Sequence, residues 1–354
     1  MKKTHLAAVA LLVAAFVTTP ASAAELRKVA INFGLTYVPV GNSPVFSVPQ
    51  AMGFWKEEGL DVQVQLANGA GTAMQQLIAG QVVGSVGGVP PAMALINKGA
   101  QIITAASINS RNIYYPVALE TSAVRTINDM KGAKIGIVSA ASSNVYWIKS
   151  MLQKHGLDPD KDITLISVGS GPAALQALTS GRIDVLQLFE AAYDQIELTG
   201  VKLRRFDQDK DFNSLAFTFG MVVRLDTFNN EPDLLAKLLR GIAKGIVYAK
   251  AHPEDAVRMH WKVYPLAKPQ GMSDQQALAN DTVIIKSALK NHAWIDQKKF
   301  GYENPESVIA IRDVLKQFGE LDKALPPERY FDPKLVSQIN DFDQAEVVSR
   351  KPQF

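Results

Sequence analysis

A twelve-residue pattern recurs in this chain. TAMQQLIAGQVV, from Thr72 to Val83, is echoed by AALQALTSGRID, from Ala173 to Asp184, at a constant offset of 101. Gln75 falls on Gln176, Leu77 on Leu178 and Gly80 on Gly181. Each copy reads as a helix closed by glycine and followed by a buried strand. A strand, a polar loop and a helix open at Val29 and again at Lys134, so the chain is expected to build two α/β units of one plan.

The second opening, KIGIVSAASSNVYWIKSMLQKHG from Lys134 to Gly156, carries the most chemical information. Ile135, Ile137 and Val138 form a short apolar run. The loop after it is rich in hydroxyls and amides. Val145, Ile148, Met151 and Leu152 then recur at helical spacing up to Gly156. A strand feeding a helix in this way leaves the first helical N–H groups free beside Ser142, Ser143 and Asn144. That is a place for an anion or a polar ligand atom. Simple capping by Ser142 or Ser143 is the competing reading.

Alternating strands and helices run through the first unit. The spacing predicts strands at Val29–Phe33, Asp61–Ala67 and Gln101–Ile108, and a helix capped by Thr72. Tyr114–Glu120 and Leu215–Arg224 are extended and aromatic, and read as two crossings between lobes. The expected organisation is a leader over 1–24, lobe 1 over 25–119, an inserted lobe 2 over 120–216, and a return to lobe 1 with C-terminal helices over 217–354. Helices are expected from Pro232 to before Pro253, over Asp274–Asn291, and from Pro305 to Gly319.

The 354 residues are 47% hydrophobic, enough for two domains. Lys2 and Lys3, the apolar run Leu6–Val17, Pro20 and Ala21-Ser22-Ala23 form an export leader with an A-x-A cleavage pattern. With no cysteine in the chain, both disulfides and a lipid-modified cysteine are excluded. Removing the leader leaves 35 basic against 34 acidic residues, no footprint for nucleic acid. His5, His155, His252, His260 and His292 show no metal-ligand spacing. There is no nucleophile elbow and no Walker A, and Gly169-Ser170-Gly171 before Pro172 reads as a helix-entry turn. No metal, cofactor or catalytic set is expected.

MGFWKEEGLDVQVQ, LIAGQVVGSVGG and HGLDPDKDITLISVGSGPAALQALTSGRIDV together resemble the periplasmic binding proteins of ABC importers. The nearest group handles nitrate, sulfonates, taurine and thiamine-precursor pyrimidines. The resemblance implies an α/β fold of two lobes, each a mostly parallel sheet flanked by helices, joined by two crossing strands. It departs from the family where a GQ-x-D acid is usual: Val83 stands there, while Asp184 is kept in the second copy.

The resemblance places a ligand between the lobes, on loops after the strands. It points to Thr36 and Tyr37, to Gly87, Gly88 and Val89, to Ser142, Ser143 and Asn144, and to Phe189 and Glu190. Arg111, before a crossing, is a candidate clamp for a carboxylate or sulfonate. Tyr37 also suits interlobe packing, the glycines a tight turn, Phe189 the core, Glu190 a helix cap and Arg111 plain solvation. The implied function is a monomeric periplasmic receptor that passes a small molecule to an inner-membrane permease. Hydroxyls and helix N–H groups favour an organic anion. Tyr37, Tyr146 and Phe189 with Glu190 suit a pyrimidine, and enzymes of pyrimidine synthesis share the fold.

The leader makes one prediction. Intact-mass measurement of the exported protein should show a chain beginning at Ala24 or Glu25; a mass that retains Met1 refutes it.

Overall fold

Strand β1 (Arg27–Phe33) turns Val29, Ile31 and Phe33 into the first core, while on its other face Asn32 is buried and Ala30 partly buried, as in a sheet covered on both sides. It pairs in parallel with β2 (Leu60–Leu66), from Arg27↔Leu60 to Phe33↔Leu66. The computed structural model describes residues 25–206, 215–292 and 299–352; the leader expected over 1–24 lies outside them. β3 (Gly84–Gly88), β4 (Ile102–Ser107) and β10 (Phe219–Arg224) complete the first sheet in the order β2-β1-β3-β10-β4. The second sheet uses β5 (Pro116–Leu119), β6 (Lys134–Ile137), β7 (Thr164–Ser167), β8 (Val185–Gln187) and β9 (Leu203–Arg205) in the order β7-β6-β8-β5-β9.

The two orders are the same plan. In each sheet the fourth position is filled by a strand antiparallel to both neighbours: β10 between β3 and β4, and β5 between β8 and β9. Each of these strands enters just after the chain has crossed from the other lobe. Pro116–Leu119 is therefore a member of the second sheet, and the crossing expected over Tyr114–Glu120 narrows to the residues before Pro116. Likewise Phe219–Arg224 belongs to the first sheet, which leaves 215–218 as the return crossing.

Helices α1 (Ala70–Ile78), α2 (Val89–Asn97), α3 (Ser143–Lys154), α4 (Pro172–Thr179) and α5 (Glu190–Glu197) follow their strands and cover the sheets. α1 and α4 carry the sequence echo, and Gly80 and Gly181 follow them at φ 75° and 72°, backbone that favours glycine. α1 starts two residues before Thr72. The Thr72 hydroxyl donates to the Asn68 carbonyl at 3.2 Å rather than capping, because Gly69 already turns the chain into the helix.

The acid missing from the first copy now has a meaning. In the second lobe Asp184 accepts from the Lys134 N–H at 2.8 Å and so pins the start of β6 to the start of β8. Val83 keeps only the backbone link, donating its N–H to the Ala30 carbonyl at 2.8 Å, while its side chain packs against the first core. The acid is a strand fastener, and apolar packing stands in its place in lobe 1.

Three C-terminal helices, α6 (Pro232–Ala251), α7 (Asp274–Asn291) and α8 (Pro305–Gln317), lie where the sequence predicted helices. α6 buries Leu234, Leu235, Leu238, Leu239, Ile242 and Ile246 in the first core, each worth about 1.5–3 kcal/mol. Its Leu238 carbonyl also accepts from the Trp55 indole at 2.9 Å.

The return crossing is held from below. Phe217 adopts φ 59°, an uncommon backbone for a non-glycine residue, and its buried ring meets Phe331 edge-on at 5.5 Å. Beside it Glu303, 1% exposed, accepts from the Ser107 hydroxyl at 3.1 Å and from the Phe217 backbone. Burial pushes this carboxyl up to about 7, against smaller opposing pulls from Ser307, Ser107 and two backbone N–H groups. A raised carboxyl means that the folded chain keeps its proton longer than the unfolded one. Its contribution is thus full below the ordinary glutamate range and lost as pH rises through about 7. Glu303→Gln should therefore gain melting temperature relative to the parent between pH 5 and pH 8, by the equivalent of about 1–3 kcal/mol. Calorimetry at both values tests it; parallel pH profiles in parent and variant refute it.

Candidate functional site

The C-terminal ends of the strands of both sheets converge on one cavity of about 80 Å³ between the lobes. Gly34 and Leu35 follow β1, Gly87 and Gly88 end β3, Asn109 follows β4, and Val138 follows β6. Ser142, Ser143 and Asn144 open α3, and Phe189 precedes α5. Asn42, Ala70, Phe33, Phe219, Ile113 and Tyr114 complete the wall. None of these side chains is ionisable except the Tyr114 phenol. Burial raises that phenol, with a hydrogen bond to Ser143 opposing, so it stays neutral at ordinary pH.

Several helix starts face this space, and three of them give one N–H group to a backbone carbonyl. Gly71 near the start of α1 donates its N–H to the Ala141 carbonyl at 3.2 Å. Val89 of α2 donates to Thr218 at 3.0 Å, and Glu190 of α5 to Ile113 at 3.1 Å. α3 differs. The Ser142 hydroxyl does not cap it but meets the Ser139 hydroxyl at 2.8 Å. The N–H groups of Ser143 and Asn144 bond nothing among the described residues. Two donors are thus left at a helix N-terminus, where the dipole favours an electron-rich partner.

Acceptors are left as well. Asn144 donates its amide N–H to the Gln187 carbonyl, and its own side-chain oxygen, in a residue 1% exposed, has no partner. Asn109, 4% exposed, likewise keeps an unpaired side-chain oxygen. A buried unpaired acceptor costs on the order of 1–3 kcal/mol, and both of these belong to residues that line the cavity.

Six of the expected residues, Gly87, Gly88, Ser142, Ser143, Asn144 and Phe189, line the cavity. Five do not. Thr36 is exposed, and its loop offers Gly34, Leu35 and Asn42 instead. Tyr37 crosses to the other lobe, where its phenol accepts from the Ser170 hydroxyl at 3.3 Å. Val89 is fully buried in the core under α2. Arg111 and Glu190 hold each other at 2.8 and 3.0 Å, and Asn291 of α7 donates to the same carboxylate at 2.8 Å. The three residues fasten lobe 2 to the crossing and to lobe 1, with both Arg111 bonds made by its Nη2, and neither Arg111 nor Glu190 lines the cavity. Asn109 and Tyr114 had not been singled out as contacts. Asn109 was legible as the residue just past the end of β4, whereas Tyr114 was assigned to the crossing that it begins.

The lobes meet at glycines. A Cβ on Gly88 would stand 1.8 Å from the Ser143 hydroxyl oxygen and 2.4 Å from its Cβ, and one on Gly71 would stand 2.6 Å from the Ala141 Cβ. The start of α3 therefore fits against lobe 1 only because those positions carry no side chain. Gly88→Ala should hold the lobes apart and weaken ligand binding about tenfold or more, with Ser143→Gly in the same chain restoring closure. Small-angle scattering reads it: the parent contracts with a stabilising compound, Gly88→Ala does not, and equal contraction refutes the account.

Known proteins resemble this chain over about half to nine-tenths of its length. It is 24% identical over 193 residues to the bicarbonate-binding protein CmpA of Synechococcus elongatus, covering 47% of this chain and 42% of that protein. It is 24% identical over 258 residues to the 4-amino-5-hydroxymethyl-2-methylpyrimidine phosphate synthase THI13 of Saccharomyces cerevisiae, covering 69% and 73%. The alkanesulfonate-binding protein SsuA of Xanthomonas axonopodis pv. citri superposes with a TM-score of 0.65 at 14% identity, over 87% of this chain and 99% of that one. This likeness shows the two-lobed fold of periplasmic binding proteins. Residues 42–256 match the family described as NMT1/THI5 like, and the chain belongs to it.

Proposed function

We propose that this protein is the periplasmic receptor of an ABC importer, closing on a small polar organic molecule and handing it to an inner-membrane permease. The observation that carries this reading is the cavity itself. It lies between two lobes, has a mainly apolar lining with no ionised side chain among the described residues, and is lined by residues that keep unpaired hydrogen-bonding groups. Among the described residues no imidazole or carboxylate lines it to take a proton from Ser142 or Ser143, which supports holding a ligand over transforming it. A pyrimidine-synthesis enzyme on the same fold is the rival reading.

Ligand chemistry follows from what is unpaired. The α3 N–H groups call for acceptors, while the Asn109 and Asn144 oxygens call for donors. A flat heteroaromatic bearing both, in the manner of an aminopyrimidine, satisfies all of them and meets Phe33, Tyr114, Phe189 and Phe219 with its faces. An organic anion is the second reading. The free α3 N–H groups favour it, but the two amide oxygens would then face negative charge.

Native mass spectrometry of protein isolated from its own host should reveal a co-purifying small molecule, released chemically unchanged at one per chain; a converted product supports the enzyme instead. With that compound in hand, Asn109→Ala should weaken a heteroaromatic by about 1–3 kcal/mol, and Ser142→Ala with Ser143→Ala by a similar amount. An anion should tolerate the Asn109 change. Unchanged affinity in both variants refutes the site.

A further inference from the structure

A second, larger cavity of about 610 Å³ lies between the lobes, away from the central one. Its walls come from the loop holding Tyr37, from α7 and from the segment around Leu266 on one side, and from α4 and α5 on the other. They are mainly apolar, with Val40, Leu175, Ile196 and Ile284 among them. Leu266 at the rim is fully exposed, so apolar surface at this opening meets water.

One carboxylate is set into this apolar wall. Asp281 is 5% exposed and lines the cavity. It accepts a hydrogen bond from the Trp261 indole at 2.8 Å, and no ion pair among the described residues reaches it. Among the described residues the cationic side chain in the lining is Lys268, which is engaged elsewhere. It pairs with Asp274 at 2.8 Å and stands over the Trp261 ring at 5.3 Å. A buried carboxylate ordinarily has a cation beside it, since desolvation without one is costly. Here the empty side of the carboxylate is a cavity.

We propose that this cavity is a second binding site, taking a small amphiphilic organic cation with its ammonium on Asp281 and its apolar body against Leu175, Ile196 and Ile284. The charge selects the cation, and the apolar walls select a hydrocarbon or ring rather than a hydrated metal ion. The walls come from both lobes, so an occupant touches both when they are closed.

The test is calorimetric titration of the chain lacking its leader with 2-phenylethylammonium, 2-phenylethanol and phenylacetate. The ammonium should bind one per chain, the alcohol about tenfold or more weaker, and the carboxylate not at all. Asp281→Asn should weaken the ammonium about tenfold or more, while the weaker affinity for 2-phenylethanol stays unchanged. Leu175→Trp, which fills the space without touching the carboxylate, should abolish binding of the ammonium even if the Asp281 variant folds poorly. Alcohol and ammonium binding alike, full affinity in both variants, or no heat up to about 10 mM ammonium would each overturn the proposal. So would binding that survives Asp281→Asn but is lost with Ser142→Ala and Ser143→Ala, which would put the probe in the central cavity.

Discussion

Ser143 of one lobe rests where a side chain on Gly88 of the other would be, and the site depends on that contact. The fit brings the start of α3, with its two unsatisfied N–H groups, against the strand ends of lobe 1. Asn109 and Asn144 then face one cavity from opposite lobes. Neither lobe alone carries the full complement of donors, acceptors and rings. The two lobes together supply it, and on the proposed reading a ligand that completes those bonds would favour this arrangement over an open one.

The same economy governs the joints. Each crossing ends by becoming the antiparallel fourth strand of the sheet it enters, so the hinge segments are anchored in two cores. Arg111, Glu190 and Asn291 add a polar fastening beside the first crossing, and Glu303 with Phe217 an internal one beside the second. Short stretches between two packed sheets are what a rigid-body rotation of lobes requires. The groups that could have served a ligand at these joints, a guanidinium and a carboxylate, are instead spent on each other.

Charge is kept out of the central cavity and left elsewhere. Among the described residues, the central lining has no ionised side chain, while the outer interlobe cavity holds the unpaired carboxylate of Asp281. The two spaces therefore differ in the chemistry they can hold, although both are closed by the same pair of lobes. The echo Thr72–Val83 and Ala173–Asp184 shows how freely one plan is adjusted: Asp184 fastens two strand starts, and Val83 packs where its counterpart bonds.

The periodicities and the internal echo determined the elements and their order. Helical stripes such as Leu234 to Ile246, strand alternation in β1, and the glycines after α1 and α4 are local signals, each set by one segment's own geometry. Six residues lining the cavity were legible for a related reason: they sit where strands end and helices begin, and that position follows from the α/β plan. What only the tertiary structure decided was partnership. Thr36 and Tyr37 are neighbours in sequence and in chemistry, yet one faces solvent and the other bridges the lobes. Arg111 and Glu190 each looked free to hold a ligand until the fold brought them within 2.8 Å of each other. A residue's type states which bonds it can make, whereas whether those bonds are already taken depends on groups 79 residues away in the chain, which no local pattern records.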